Sequence, residues 1–162
     1  MSLPEHDRHV SSLRRTGALS TPFPFIALPH AIRLLRIGTA GLFLAHAVVR
    51  VLRDGSVASF GAYLERTGLP LGVLLVWLVT AFELIGGTLL LLGIRTRVMA
   101  AGFTLLLLAG IVIIHRHLGW FVGEHGSGGS EYSVALILAL LVLAAADTPP
   151  GAASRTQWPS AD

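Results

Sequence analysis

Residues 70–93 read PLGVLLVWLVTAFELIGGTLLLLG, an apolar run broken by a single charge, Glu83. At about 1.5 Å per residue, roughly 17 to 25 apolar residues cross a hydrocarbon core of about 30 Å as one helix. Residues 34–53, 98–115 and 131–147 repeat the pattern, which predicts four spans. The whole chain agrees: 53% of its 162 residues are hydrophobic, 13% are charged, and mean hydropathy is +0.72. That balance excludes a soluble domain of this size. The expected fold is all-α, an integral membrane four-helix up-down bundle.

Outward from that run, three regions follow. Residues 1–33 form a polar to interfacial N-terminal segment in which Pro22, Pro24 and Pro29 hinder a helix, so the first span is expected to begin near Arg33. Residues 34–147 hold the transmembrane domain, and 148–162, rich in Pro, Gly and polar residues, read as a disordered tail. Residues 93–97 are too short to be anything but a turn between antiparallel neighbours. Gly86, Gly87, Gly102 and Gly110 are expected to let backbones approach closely. Residues 54–69 and 116–130 read as loops, with Glu65, Arg66 and Glu124 as solvated charges. All 12 basic residues are Arg, eight of them beside the first span's start, the 93–97 turn or the tail, and four at the other end. The positive-inside bias therefore puts both termini in the cytoplasm, and an inner (plasma) membrane is the expected location. The arginines form no clustered face, which argues against nucleic acid. With no cysteine there is no disulfide, thiolate metal site or dithiol relay in the chain.

Ionisable side chains at bilayer depth cost several kcal/mol and are read by default as a paired, inward-facing functional site. In the first span Arg36, Thr39, Phe43, His46, Arg50 and Arg53 recur at spacings of three and four, one stripe of a helix. Thr80, Glu83 and Gly87 share a face in the second, as do Thr104, Leu108, Ile111 and His115 in the third. His46 and Glu83 fall at similar depth and are expected to meet, with Arg50 close enough to pair with Glu83. Such a group either fixes the register of the bundle as a buried ion pair or lines a ligand pocket, where His46 and Glu83 exchange protons with a carbonyl or hydroxyl headgroup. Glu83, His46 and Arg50 are the catalytic candidates. Thr80, His115, Glu131 and Tyr132 join His46 and Glu83 as candidates for cofactor contact, Glu131 and Tyr132 capping the interior from outside. No self-contained catalytic motif is present. His115, His117, His125 and Glu131 have the chemistry of metal ligands but not the spacing, so no metal site is expected. Trp120 reads as an interfacial anchor.

These pieces, in order, resemble the DoxX family of small four-helix membrane proteins. They are Arg36-Ile-Gly38 with His46 and Arg50, Gly68-Leu-Pro70, Glu83-Leu-Ile-Gly-Gly87, Leu92-Gly-Ile-Arg-Thr-Arg97, and the Gly-rich run ending in Glu131-Tyr132. The likeness spans about Arg36 to Asp147. Two departures stand out: Arg50 takes the place of a frequent Lys, and the tail lacks the family's Gly-Pro-Gly and Ser-Leu-Asp pattern. The resemblance implies a bacterial membrane component of an oxidoreductase system that interacts with quinone through the polar interior. The alternative it leaves open is a non-catalytic scaffold recruiting a soluble redox or metal-handling partner through the outer loop. Lipid is the first partner expected, a soluble or membrane oxidoreductase the second; homo-oligomer formation stays open.

Overall fold

The computed structural model describes residues 26–115, 118–122 and 128–147. The chain divides into compact units Met1–Ala31 and Ile32–Asp162. Of the first, residues 26–31 are described, and they contain only the opening turn of the first helix. Among the described residues the α-helices are, in order, α1 (Leu28–Leu52), α2 (Ser56–Arg66), α3 (Gly72–Leu92), α4 (Thr96–Ile113) and α5 (Glu131–Ala146). Among the described residues there is no strand.

Helices α1, α3 and α4 are long and apolar enough to span a membrane, and α5 is a shorter apolar helix of 16 residues. Leu34, Ile85, Leu105 and Leu138 are each more than half exposed on the faces these helices turn outward. Exposed leucines spread along every long helix have lipid as their natural solvent. The molecule is a multi-pass helical membrane bundle.

Helix α1 starts at Leu28, about a turn before the expected Arg33. Pro29 is compatible with that start, because amides in a helix's first turn have no intrahelical acceptor to lose. The stretch 54–69, expected as a loop, contains α2. Val57, Phe60, Gly61 and Leu64 make its inward face, at helical spacing. Short and polar on its other side, α2 carries no spanning signature, which is why hydropathy passes over it. Glu65 is likewise not a free solvated charge: its Oε1 accepts from the Gly72 amide at 3.1 Å, capping the start of α3.

The core gathers Ala40 and Phe43 of α1, Leu90 of α3, Ala100 and Phe103 of α4, and Leu136 and Leu140 of α5. Phe103 is its centre. Its ring stacks on Phe43 with centroids 3.9 Å apart and meets Phe82 at 4.8 Å. Glycines make room for these rings. A Cβ at Gly86 would lie 3.3 Å from Phe103 Cζ, at Gly102 2.7 Å from Phe82 Cζ, and at Gly87 3.0 Å from Leu44. Three of the four span glycines are therefore sockets for side chains rather than places of backbone-to-backbone contact. Gly110 has nothing within 4 Å of a Cβ and borders a cavity instead.

Backbones do meet where α2 lies on α3. A Cβ on Gly61 would come within 2.8 Å of the Val73 amide nitrogen, and one on Gly72 would collide with the Gly61 carbonyl. At the opposite end, α3 closes on Gly93 (φ 73°): the Ile94 amide reaches Leu89 O at 2.8 Å and the Gly93 amide reaches Leu90 O at 3.1 Å. Residues 116–117 and 123–127, including His117, Glu124 and His125, and the tail 148–162 lie outside the described residues.

Forcing a methyl group into a packed contact costs about 1–3 kcal/mol. Gly72→Ala should thus lower the melting temperature in mild detergent by about 5 °C. Gly38→Ala, with nothing within 4 Å of its Cβ, should leave it unchanged or raise it slightly. Equal melting curves for the two variants would refute the close α2–α3 contact.

Candidate functional site: a buried ion pair between two cavities

Helix α1 delivers Arg50 from its last turns, and α3 delivers Glu83 from its middle. Thr80, three residues before Glu83, lies on the same face. The guanidinium Nη1 of Arg50 donates to Glu83 Oε2, and Nη2 reaches Glu83 Oε1 at 3.4 Å. Nη1 also donates to Thr80 Oγ1 at 3.0 Å, while that hydroxyl gives its own proton to Val76 O at 2.7 Å. Both hydroxyl roles of Thr80 are therefore used in holding Arg50. From α2, the Phe60 ring lies 5.7 Å from Arg50 Cζ, within cation–π range. Glu83 is 6% exposed and the Arg50 side chain 14%, so this pair sits out of solvent on both sides.

Two cavities flank it. The first, about 250 Å³, is bordered by Phe43, His46, Glu83, His115, Tyr132 and Ser133. The second, about 340 Å³, is bordered by Arg50, Phe60, Leu64, Val79, Glu83 and His115. Glu83, Leu106, Leu107, His115 and Ser133 line both. The cavities are thus neighbours across a shared wall that carries a carboxylate, an imidazole and a hydroxyl. His115 Nδ1 is buried without a hydrogen-bond partner. An unpaired polar atom in that setting calls for an explanation such as a ligand or a water.

Several placements differ from the sequence reading. His46 does not bond Glu83; its Nδ1 bonds Leu42 O at 2.9 Å. A carbonyl only accepts, so that nitrogen carries the proton and Nε2 is the acceptor of the neutral ring. The buried face of α1 runs through Thr39, Ala40, Phe43 and Ala47, which leaves His46 at its edge, on the rim of the first cavity. Helix α4 ends at Ile113, so His115 stands in the turn beyond and escapes the helical register that grouped it with Thr104, Leu108 and Ile111. Glu131 faces neither cavity. Its Oε1 accepts from the Val122 amide at 2.9 Å, while the Ser130 and Glu131 amides reach Gly119 O and Trp120 O, so it fastens residues 118–122 to the start of α5. Tyr132 does border the first cavity.

Sequence reasoning missed Ser133 and Phe60. Ser133, 5% exposed, is a polar residue within an apolar helix and its position signalled it. Phe60 gave no signal once its segment read as loop. Among the described residues no three His, Asp or Glu side chains converge as metal ligands.

Membrane-spanning helices closed around an Arg–Glu pair with cavities on either side define a small multi-pass membrane protein with an internal polar site. Residues 31–116 match the DoxX family model, and the chain belongs to the DoxX family. It is also similar to a protein of Bacillus subtilis (strain 168) named "Putative oxidoreductase CatD", at 29% identity over 112 residues, covering 68% of this chain and 75% of the relative. No solved structure matches.

Removing one member of a buried ion pair strands the other charge, at about 3–5 kcal/mol. Arg50→Ala should therefore destabilise the bundle by about 3 kcal/mol in denaturant titrations. The double variant Arg50→Ala/Glu83→Ala should cost less than the sum of the two single changes. Strict additivity would mean that the two side chains are not coupled.

Proposed function

We propose that the protein is a membrane component of an oxidoreductase system and that it receives a quinone headgroup at the wall shared by the two cavities. The observation that carries the reading is the presence of both Glu83 and His115 on that wall, the imidazole Nδ1 being buried with no partner among the described residues. The name of the Bacillus subtilis relative supports the oxidoreductase part. A second subunit or a soluble partner would supply the electrons, since the chain has no cysteine for a dithiol relay.

The residues present fit such a group. A quinone carbonyl needs donors, and the quinol hydroxyl needs acceptors. His115, with Nδ1 protonated, would donate to a carbonyl oxygen, and the Glu83 carboxylate would accept from a hydroxyl. Its Oε1, engaged only by the 3.4 Å contact, has acceptor capacity left. Arg50 would hold the Glu83 carboxylate in position and Thr80 would hold Arg50 in place. Phe60, Leu64, Leu69, Leu75 and Val79 give the second cavity an apolar lining suited to an isoprenoid chain. Bound there, quinone supplies two-electron, two-proton redox chemistry. His46 and Tyr132 border the first cavity, where they would relay protons toward the loop before α5. The arginine bias supports an outward orientation of that side, with both termini cytoplasmic, as part of this proposal for an inner-membrane protein.

Equilibrium binding of a short-chain ubiquinone to the purified protein tests this. Glu83→Gln and His115→Ala should each weaken binding about tenfold or more, the scale of a lost charge-assisted hydrogen bond, while Ser59→Ala on the exposed part of α2 should not. Wild-type affinity in Glu83→Gln would overturn the assignment.

A further inference from the structure

Among the described residues, three buried side-chain polar atoms have no hydrogen-bond partner. One is His115 Nδ1. The other two are Arg36 Nε, from α1, whose guanidinium lies at the turn between α3 and α4, and Thr96 Oγ1, which opens α4 after that turn. From these we infer a second site, one that binds the phosphate of an anionic lipid headgroup between Arg36 and the start of α4.

The Arg36 guanidinium lies over Gly93, the glycine that ends α3. A Cβ there would clash with Nη1 and fall 2.8 Å from Cζ and 3.2 Å from Nη2. Three residues later Thr96 opens α4, and it is 2% exposed, so its hydroxyl faces into the protein. Three residues of chain span about 10 Å at most, which keeps that hydroxyl within a headgroup's dimensions of the guanidinium.

The helix end itself favours an anion. Arg95, in the N-cap position, has φ 50° and offers no side-chain cap, and the first turn of α4 contains no acidic residue. Its free amides and the positive end of the helix dipole thus meet Arg36 with nothing negative between them. Among the described residues the single ion pair is Arg50–Glu83, so none of the described carboxylates pairs with Arg36, Arg95 or Arg97. A phosphate group answers all of these at once. It offers acceptor oxygens to the guanidinium and to the Thr96 hydroxyl, and its charge opposes the helix end.

A lipid is favoured over free phosphate by position. The turn joins two spanning helices where their apolar runs stop, which is headgroup depth. Leu92 at 63% exposure, Ile94 at 47% and Val98 at 56% flank it with apolar surface for acyl chains. Gly93 is needed because any side chain there would displace the guanidinium.

The test uses the full-length protein in detergent, titrated with phosphatidylglycerol, phosphatidylcholine or inorganic phosphate and read by native mass spectrometry and melting temperature. Phosphatidylglycerol should bind and stabilise the wild type, with phosphatidylcholine and inorganic phosphate having little effect. Arg36→Ala and Thr96→Val should each weaken phosphatidylglycerol binding about tenfold. Arg33→Ala, which removes the same charge from an exposed position on the same helix, should not. Thr96→Val also changes sign with conditions: without lipid it removes an unpaired buried hydroxyl and should raise the melting temperature, and with phosphatidylglycerol it should erase the lipid's gain. Equal losses in Arg33→Ala and Arg36→Ala would replace the site with diffuse charge attraction. Unchanged lipid binding in Thr96→Val, which is close to isosteric and keeps the fold, would overturn the proposal even if Arg36→Ala fails to fold. Saturation by inorganic phosphate alone would overturn the lipid assignment.

Discussion

A salt bridge between α1 and α3, placed where water is scarce, constrains most of what surrounds it. Charges in that setting are tolerated only when their remaining hydrogen-bonding capacity is met. Arg50 needs more than one acceptor, and Thr80 supplies the second by passing its own proton to the helix backbone. Phe60 covers the cation from α2. The pair thereby ties α2 to the bundle from one side and fixes the register of α1 on α3 from the other. The second cavity opens beside the pair, where α4 offers Leu106, Leu107, Ala109, Gly110 and Ile113 as its wall.

Elsewhere the bundle is closed by size matching. Lipid is as apolar as leucine, so helices gain by fitting closely rather than by escaping solvent. Phe103 reaches Phe43 and Phe82 because Gly86 and Gly102 leave room for the rings. The same residue type does different work at Gly61 and Gly72, where backbones touch, and at Gly110, where the missing side chain leaves open volume. Only the three-dimensional partner distinguishes these roles.

That difference marks how far the sequence could be read. The long helices were legible because a membrane demands unbroken apolar length, and Glu83 was legible as the one charge in such a run. Arg50 and Glu83 could be brought near each other from depth alone. Helix α2 could not be seen in the same way, since eleven residues with one inward face are ordinary for a surface segment. Register fails past a helix end, which is why His115, two residues beyond α4, leaves the face of Thr104, Leu108 and Ile111, while His46 keeps its place beside Phe43 only at the edge of the buried stripe. Glu131 looked like part of the site because it opens α5, yet its carboxylate is consumed by a backbone amide in the preceding loop.

The two ends of α4 place opposite demands on polar groups. At its start, amides and guanidinium groups accumulate positive character, and among the described residues none of those guanidinium groups forms an ion pair with a carboxylate, which suits an anion supplied from outside the chain. At its end, His115 presents an unpaired nitrogen to the cavities beside a carboxylate already committed to Arg50. The first arrangement suits a permanent anion, which stays bound because neutralising it would strand several donors. The second suits an exchangeable ligand, since the ion pair stays satisfied whether the cavities are filled or not. A bundle built this way can keep one polar site continuously occupied for its stability and leave the other free to turn over.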